Sequence, residues 1–312
     1  MSAIFQPTVG HTPVMVEEVL LNLAPQPGGV YVDGTVGGGG HAEAVLEAAS
    51  PGGLLLGIDA DPRALSVTRA RLARFVDAAL LVEGNFRDVG AICRAHGFAP
   101  VHGVLFDLGL SSMQLSDEAR GFSFQTEAPL DMRFSPQQTL TAADIVNTYP
   151  GQELAALLWR YGQERHSRAI ARRIVRDRPL STTLELARAV QKAVGGGRLR
   201  IHPATRTFQA IRIAVNAELE NLTLALDQAL GLLGHGGRLV VISYHSLEDT
   251  IVKGFLGREA RDCICPPDTP VCICGHKATL RPVTRGALRP QADEVAMNPR
   301  SRSARLRAAE RL

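Results

Sequence analysis

The chain has 312 residues, 45% of them hydrophobic, and a formal net charge of +3 at neutral pH. This length allows two domains, or one domain with a large insertion, around a sizeable core. The first dozen residues lack the charged and apolar regions of a signal peptide, and no run reaches the roughly 18 apolar residues of a membrane helix, so we expect a cytoplasmic protein. Five cysteines, four of them close together, argue against a disulfide framework.

The first strand of the chain leads into a glycine-rich turn. Between Val30 and His41, β-branched residues end at Asp33, four consecutive glycines follow, and a helical pattern then begins. Gly37, Gly39 and Ala42 fit the G-x-G-x-x-A spacing, in which small residues let the backbone and a helix N-terminus approach a ligand. The order of strand, turn and helix therefore predicts a cofactor-binding corner. A glycine loop without a ligand is the alternative for this stretch taken alone.

Three further apolar strand patterns alternate with helices, which is typical of a parallel, doubly wound sheet. Asp59 follows the second strand and lies 22 residues beyond Gly37, close to the offset at which an acid hydrogen-bonds ribose hydroxyls. Its alternative role is to cap the helix predicted from Pro62. Because strand C-termini line the ligand crevice of such a sheet, we expect four strand ends to converge on one site: Asp33, Asp59, Asn85-Phe86 and Asp107.

The alternation of strands and helices stops near residue 112. Arg-rich helical patterns then predict an inserted helical subdomain over residues 113–216, between the two parts of a main domain, 1–112 and 217–312. The sheet resumes with a fifth parallel strand, Arg238 to His245. The last ten residues, Ser303 to Leu312, fit a strand or a helix equally well.

Polar residues also follow the fifth strand. His245, Ser246 and Asp249 contain the side-chain types of a hydrolytic triad, but they lie within five residues of one strand-to-loop segment, which does not suit triad geometry. We interpret them as residues of a substrate pocket or of a structural turn.

The glycine corner suits either a dinucleotide or S-adenosylmethionine. A dinucleotide needs a second nucleotide-binding half, and no second glycine fingerprint follows the later strands. S-adenosylmethionine needs close backbone and an acid at its amino-acid end, an acid such as Asp59 for its ribose, and an apolar or aromatic neighbour such as Phe86 for its adenine. These residues favour S-adenosylmethionine.

Eight sequence blocks, among them Asp33 to His41, His202 to Ala210 and Ser243 to Asp249, closely resemble those of the ribosomal small-subunit RNA methyltransferase H (MraW) family. The resemblance extends over nearly the whole chain. It implies a Rossmann-like class I methyltransferase fold. It implies that the enzyme transfers a methyl group from S-adenosylmethionine to N4 of a cytidine in the decoding (P-site) region of 16S rRNA, within the small ribosomal subunit. It also implies a set of cofactor-binding residues: Gly39, Gly40, His41, Asp59, Phe86, Asp107 and Gln114.

Methylation of the N4 amine requires alignment and a hydrogen-bond acceptor, because the nitrogen lone pair is delocalised into the cytosine ring. Asp107 is positioned by sequence for this catalytic role or for contact with the cofactor. The residue that stacks on the base is not evident, and the candidates are Phe122, Phe124 and Tyr244. A dinucleotide-dependent oxidoreductase and a non-catalytic ribosome-assembly factor with the same fold are the alternative functions.

The four clustered cysteines form two C-x-C pairs, Cys263-Ile-Cys265 and Cys272-Ile-Cys274. Tetrahedral zinc is chemically reasonable for them, but C-x-C spacing is less characteristic than C-x-x-C, and nothing else in the chain requires a metal. We therefore assign no metal site from the sequence, and reduced thiols without a metal or occasional disulfides are the alternatives.

Arginines concentrate in the predicted insertion. A charge run is usually a solvated helix face, but an enzyme that acts on RNA needs phosphate contacts, and arginine also stacks on unpaired bases. We hypothesise that the insertion and the Arg-rich tail bind rRNA. The basic residues of the insertion are Arg160, Arg165, Arg168, Arg172, Arg173, Arg176, Arg178, Arg188, Lys192, Arg198, Arg200, Arg206 and Arg212.

Overall fold

The computed structural model describes residues 13–195 and 201–312. It consists of two compact units. The first comprises Met1–Gly109 and Glu220–Leu312, and the second comprises Leu110–Leu219.

The first unit contains a seven-stranded sheet in the described residues, with strand order β3-β2-β1-β4-β5-β7-β6. Strands β1 to β5 pair in parallel, whereas β7 runs antiparallel to both β5 and β6. The strands are β1 (Val30–Asp33), β2 (Leu54–Asp59), β3 (Ala79–Glu83), β4 (Val101–Asp107), β5 (Leu233–Ser243), β6 (Leu280–Pro282) and β7 (Arg305–Arg311).

Helices cover both faces of this sheet. They are α1 (Val16–Leu23), α2 (Gly40–Ala48), α3 (Pro62–Arg71), α4 (Val89–Ala95), α11 (Glu218–Leu232) and α12 (Ser246–Glu259). A short further helix, α13 (Ala292–Met297), contributes no buried residue. Along β4, Val104 and Phe106 belong to one apolar cluster with α4, α11 and α12, whereas Leu105 belongs to another with α1, α2 and α3. Because successive strand residues point to opposite faces, this division means that both faces are buried.

The second unit is helical. Its helices are α5 (Ser112–Ser116), α6 (Ala142–Thr148), α7 (Gly151–Gly162), α8 (Ser167–Asp177), α9 (Thr183–Val194) and α10 (Ala204–Asn216). Their apolar faces share one core that includes Leu158, Ile174, Val190 and Ile211. A capping box fixes the start of α9, because the Thr182 hydroxyl accepts a hydrogen bond from the Glu185 N–H and the Glu185 carboxylate accepts one from the Thr182 N–H.

The predicted fold class, a Rossmann-like doubly wound sheet, is confirmed. The ambiguous C-terminal pattern is a strand, β7. The long helical pattern after Gln152 is two helices, because Gln163 adopts a left-handed conformation (φ 49°) and ends α7. None of the described helices is long and apolar enough to cross a membrane.

One local prediction was wrong: the residues after His245 form a helix, α12, and not a loop. The His245 ring replaces the usual Ser or Thr as N-cap, since its Nδ1 accepts a hydrogen bond from the Glu248 N–H at 3.4 Å. The Glu248 carboxylate in turn accepts a hydrogen bond from the His245 N–H at 3.2 Å. Histidine is a weak sequence signal for a helix start, which is why the pattern indicated a loop.

Candidate cofactor and catalytic site

The glycine turn joins β1 to α2 and is held from both sides by neighbouring strands and helices. The Val36 N–H donates to the Ile58 carbonyl at 2.9 Å, and the Gly34 N–H donates to the Leu105 carbonyl at 2.9 Å. The Thr68 hydroxyl of α3 donates to the Gly37 carbonyl at 2.6 Å. These bonds fix the turn without using a ligand.

Asp59, at the end of β2, holds the turn through its carboxylate. One carboxylate oxygen accepts a hydrogen bond from the Gly37 N–H at 2.9 Å, and the other accepts one from the Asp61 N–H at 2.8 Å. The cap of α3 is Asp61, whose carboxylate accepts a hydrogen bond from the Arg63 N–H. The capping role considered for Asp59 therefore belongs to its neighbour, and Asp59 stays a predicted ribose ligand.

The glycines of the turn have different physical requirements. Gly39 has a φ of 77°, and a Cβ there would lie 2.8 Å from the Thr68 methyl carbon. Gly40 begins α2, where a Cβ would lie 2.8 Å from the Pro13 ring. A Cβ at Gly38 would have no atom of the chain within 4 Å, and its φ is not left-handed. Neither packing nor conformation within the chain requires the glycine at position 38, and the same holds for Gly254, so close approach of a ligand to Gly38 stays a prediction.

His41, Asp107 and Tyr244 form a connected group beside the turn. His41 is buried; its Nε2 lies 2.8 Å from the Val14 carbonyl oxygen, and its Nδ1 lies 3.6 Å from one carboxylate oxygen of Asp107. The Tyr244 hydroxyl donates to the other Asp107 oxygen at 2.9 Å. Asp107 itself is fixed at its backbone, because its N–H donates to the Thr35 hydroxyl at 2.6 Å.

Burial and neighbouring groups act in opposite directions on the pKa of the Asp107 carboxyl. Burial raises the pKa of Asp107, while the neighbouring His41 and the hydrogen bond from Tyr244 lower it in part. The side chain is 21% exposed, so it is accessible to a ligand. Burial also raises the pKa of Tyr244 well above its usual value, which keeps its hydroxyl protonated as the donor.

Asp33 at the end of β1 is buried under the same turn, and its carboxylate accepts a hydrogen bond from the Thr35 N–H at 3.1 Å. Burial raises the pKa of Asp33 to about 7, with His41 opposing the rise and Asp107 and Asp59 adding to it. Asp59 and Asp107 thus both act on Asp33, which agrees with the predicted convergence of these strand ends.

Phe86 follows β3 and packs at the edge of this group. Its ring centroid lies 5.7 Å from that of Phe106, and the two rings are tilted by 57°. A Cβ at Gly34 would lie 2.4 Å from the Phe106 ring, so this glycine allows the rings to pack beneath the turn. Phe86 is half-buried, which leaves part of its ring available to a ligand.

The polar residues after β5 do not form a hydrolytic triad. The Asp249 carboxylate pairs with Arg307 at 2.7 Å and with Arg305 at 2.9 Å, and it is not bonded to His245. His245 and Ser246 instead line a cavity of about 270 Å³. Its walls are Tyr244, His245, Ser246, Arg289, Arg302, Ser303, Ala304 and Arg305.

The remaining predicted residues lie in the second unit. Gln114 is buried and forms a capping box with Ser111 at the start of α5. Phe122 is buried in the helical core, so of the base-stacking candidates it takes the structural role. Phe124 is half-buried and stacks on His202, with ring centroids 4.5 Å apart and an angle of 12°.

The arginines of the second unit separate into two classes. Arg178 donates to the carbonyls of Val146 and Tyr149, and Arg212 pairs with Glu218 at 2.8 Å, so these two stabilise the unit itself. Arg198 and Arg200 lie outside the described residues. Three exposed arginines, spaced by four residues along α8, form what we call the arginine stripe: Arg168, Arg172 and Arg176.

Two contributors to the site were not predicted from the sequence. Thr35 positions the Asp107 backbone, and Thr68 positions the Gly37 carbonyl. Thr35 lies inside the glycine motif, and its position was the available signal. Thr68 lies in the middle of α3, and nothing in the linear sequence marks it as a partner of the turn.

Residues 8–312 match the model of the MraW methylase family. The protein named ribosomal RNA small subunit methyltransferase H of Dehalococcoides mccartyi (strain ATCC BAA-2266 / KCTC 15142 / 195) is 60% identical over 302 residues, which are 97% of this chain and 86% of that protein. The protein of the same name in Thermomicrobium roseum is 56% identical over 305 residues, 97% of this chain and 94% of that protein.

Solved structures show more distant similarity. A putative rRNA-methylase from Clostridium thermocellum superposes with a TM-score of 0.45 at 14% identity, covering 95% of both chains. An rRNA methylase from Streptococcus thermophilus has a TM-score of 0.44 at 11% identity, with 95% of this chain and 93% of that chain covered.

Proposed function

Because the chain belongs to the MraW methylase family, we propose that it transfers a methyl group from S-adenosylmethionine to N4 of a cytidine in the decoding region of 16S rRNA. An S-adenosylmethionine-dependent rRNA methyltransferase activity follows from the family and from the shared name of its relatives. We propose the base, the atom and the position in 16S rRNA from the resemblance of the sequence blocks.

The residues at the strand ends suit S-adenosylmethionine. Gly38 leaves open space in which backbone can approach the amino-acid end of the cofactor, and Gly39, Gly40 and His41 continue that wall. Asp59 is placed at the end of β2 for the ribose hydroxyls, and the half-buried Phe86 ring for the adenine. Gln114, in the second unit, stays a cofactor contact that the family resemblance alone implies.

When bound, S-adenosylmethionine supplies an electrophilic methyl group on a positively charged sulfur. We assign Asp107 as the catalytic residue that accepts a hydrogen bond from the target amine, which draws the nitrogen lone pair out of conjugation with the ring. Tyr244 holds one oxygen of this carboxylate and His41 lies beside the other, so the carboxylate plane is fixed before the substrate arrives. Orientation, and not a strong base, is what this arrangement provides.

The cysteines support methylation of nitrogen over carbon. Methylation at C5 of cytosine needs a cysteine nucleophile, and all five cysteines of the chain are described. Cys93 is buried in the apolar core, where burial raises the pKa of its thiol to about 11. The other four lie in the segment between α12 and β6, away from the strand ends that carry Asp33, Asp59 and Asp107.

We propose that the inserted helical subdomain, predicted over 113–216, recognises the RNA, and that the main domain over 1–112 and 217–312 binds the cofactor. The arginine stripe repeats every four residues, or about 6 Å along α8, on an exposed face. Trp159 on α7 is 60% exposed, and an exposed indole next to arginines suits unpaired bases. The proposed substrate is rRNA in the small ribosomal subunit, in the cytoplasm.

The direct experiment supplies methyl-labelled S-adenosylmethionine with either free 16S rRNA or small subunits that lack the modification. Nucleoside mass spectrometry should find the label in N4-methylcytidine, and Asp107→Ala, which removes the acceptor altogether, should strongly reduce it. Label in 5-methylcytidine would contradict the N4 assignment. Cofactor binding without any transfer to either substrate would favour the non-catalytic assembly factor.

A further inference from the structure

The two C-x-C pairs lie in the segment that joins α12 to β6. The two ends of this segment are joined to each other, because the Ala278 N–H donates to the Asp262 carboxylate at 3.2 Å, and His276 Nε2 lies 3.2 Å from the carbonyl oxygen of Arg258 in α12. Between these anchors almost every residue is exposed. The Val271 and Ile273 side chains are 72% and 84% exposed, so the segment has no apolar core of its own.

The four thiols nevertheless come together. All four Sγ atoms lie within 4.8 Å of one another. The Cys272 and Cys274 sulfurs are 3.5 Å apart, and those of Cys263 and Cys274 are 3.8 Å apart. A zinc ion with four Zn–S bonds of about 2.3 Å in tetrahedral geometry places its sulfurs about 3.8 Å apart. A disulfide would require about 2.05 Å, and all four cysteines are free.

Backbone donors also point at the sulfurs, in a reciprocal pattern. The Ile264 N–H of the first pair donates to the Cys274 sulfur at 3.4 Å. The Ile273 N–H of the second pair donates to the Cys265 sulfur at 3.4 Å. Each pair therefore supplies two sulfurs and one donor to the other. Such bonds stabilise negative charge on sulfur, and the thiolate is the form that binds metals.

We propose that Cys263, Cys265, Cys272 and Cys274 bind one zinc ion. Four protein ligands leave no open coordination position, so the site is structural and takes no part in methyl transfer. Its role follows from the exposure of the segment: without buried apolar side chains, a metal crosslink is what can hold residues 263–274 in one conformation. The spacing of the cysteines in the sequence does not by itself require a metal. The distances between the sulfurs and the paired backbone donors are what favour a tetrahedral metal site.

The test measures metal in the full-length protein, purified under reducing conditions without chelators from cells grown with zinc. Elemental analysis should find about one zinc ion per chain, and Cys272→Ser/Cys274→Ser should lower this at least roughly tenfold. Cys93→Ala removes the cysteine outside the segment and should leave the zinc content unchanged. Replacement of zinc by cobalt should produce the intense visible bands of a tetrahedral thiolate site.

A second measurement keeps the proposal testable if the double variant does not fold. In the wild-type protein the four thiols should resist alkylation by iodoacetamide and should become reactive after a chelator removes the metal. Substoichiometric zinc in reduced wild-type protein, four alkylated thiols before chelation, or full zinc content in a folded double variant would each overturn the proposal. Because these readouts involve neither cofactor nor RNA, they are independent of the proposed activity.

Discussion

Replacing Asp33 by Asn should stabilise the cofactor-free protein at alkaline pH and have little effect at acidic pH. Asp33 is 2% exposed, and burial raises the pKa of its carboxyl from the ordinary 3.8 to about 7. Between these values the native state holds a proton that the unfolded chain has lost, so the free energy of unfolding decreases as pH rises through this range. About three pH units at 1.36 kcal/mol each give a gain of about 4 kcal/mol for the variant above pH 7.

Urea unfolding of both proteins at several pH values from about 4.5 to about 8.5 measures this difference. Asp77→Asn, which removes an exposed carboxylate from the same unit, controls for the change in net charge. The Asp33→Asn variant should gain stability relative to wild type as pH rises, and the gain should level off above pH 7. A gap that stays constant over the whole range would refute the argument that burial keeps Asp33 protonated.

The same variant distinguishes two roles for Asp33, pairing with the ammonium group of the cofactor and orienting the turn. If the carboxylate pairs with the ammonium group of the cofactor, affinity for S-adenosylmethionine should rise as pH passes 7, and Asp33→Asn should lose this rise. If Asp33 only orients the turn through the Thr35 N–H, the amide oxygen of Asn accepts the same hydrogen bond and affinity should change little. Isothermal titration at pH values on both sides of 7 distinguishes these outcomes.

Three further predictions concern the turn, the proposed catalytic carboxylate and the proposed RNA-binding surface. Gly38→Ala should leave the free energy of unfolding within about 0.5 kcal/mol of wild type but weaken cofactor binding at least roughly tenfold. The control Gly254→Ala, also in open space, should not change binding, and unchanged affinity for Gly38→Ala would contradict ligand contact. Tyr244→Phe removes a hydrogen bond that lowers the pKa of Asp107, so the acid limb of the kcat/KM profile should move to higher pH. The value of kcat should fall about tenfold. An unchanged pH profile would exclude an effect of the Tyr244 hydroxyl on the ionisation of Asp107. Gln at all three positions of the arginine stripe should weaken rRNA binding and reduce the slope of log affinity against log salt concentration by about two. Filter binding measures this, with the exposed Arg69→Gln as control. Equal slopes would show that the stripe does not contact the rRNA.

Local sequence patterns were sufficient to predict the parallel part of the sheet. The runs that end at Asp33, Asp59 and Asp107 are buried on both faces and bounded by turn residues, so their strand identity is clear without tertiary context. The antiparallel strands β6 and β7 were harder to predict. Strand β6 is only Leu280–Pro282, and β7 carries Arg and Glu between its apolar residues; pairing with β5 decides its conformation. That pairing joins residues more than 60 positions apart, which a local pattern does not contain.

The candidate site divides in the same way. The glycine turn and the strand-end acids follow from motif spacing, but the partner of each acid does not. The sequence left Asp59 open as a ribose ligand or a helix cap, and only the hydrogen bonds show that Asp61 caps α3 while Asp59 holds the turn. The link between Asp107 and Tyr244 spans 137 positions and depends on β4 and β5 being neighbours in the sheet.

The charges around the turn explain why a spacing that is typical of pyrophosphate binding suits a cationic cofactor here. Asp33, Asp59 and Asp107 end three adjacent strands, and among them His41 is the imidazole that opposes their mutual repulsion. A pyrophosphate would add two negative charges to this group, whereas a sulfonium and an ammonium relieve it. A cation bound there favours the ionised form of Asp33, so S-adenosylmethionine should lower the pKa of that carboxyl. The cofactor should consequently stabilise the protein more at pH 8 than at pH 5, and a dinucleotide should stabilise it at neither.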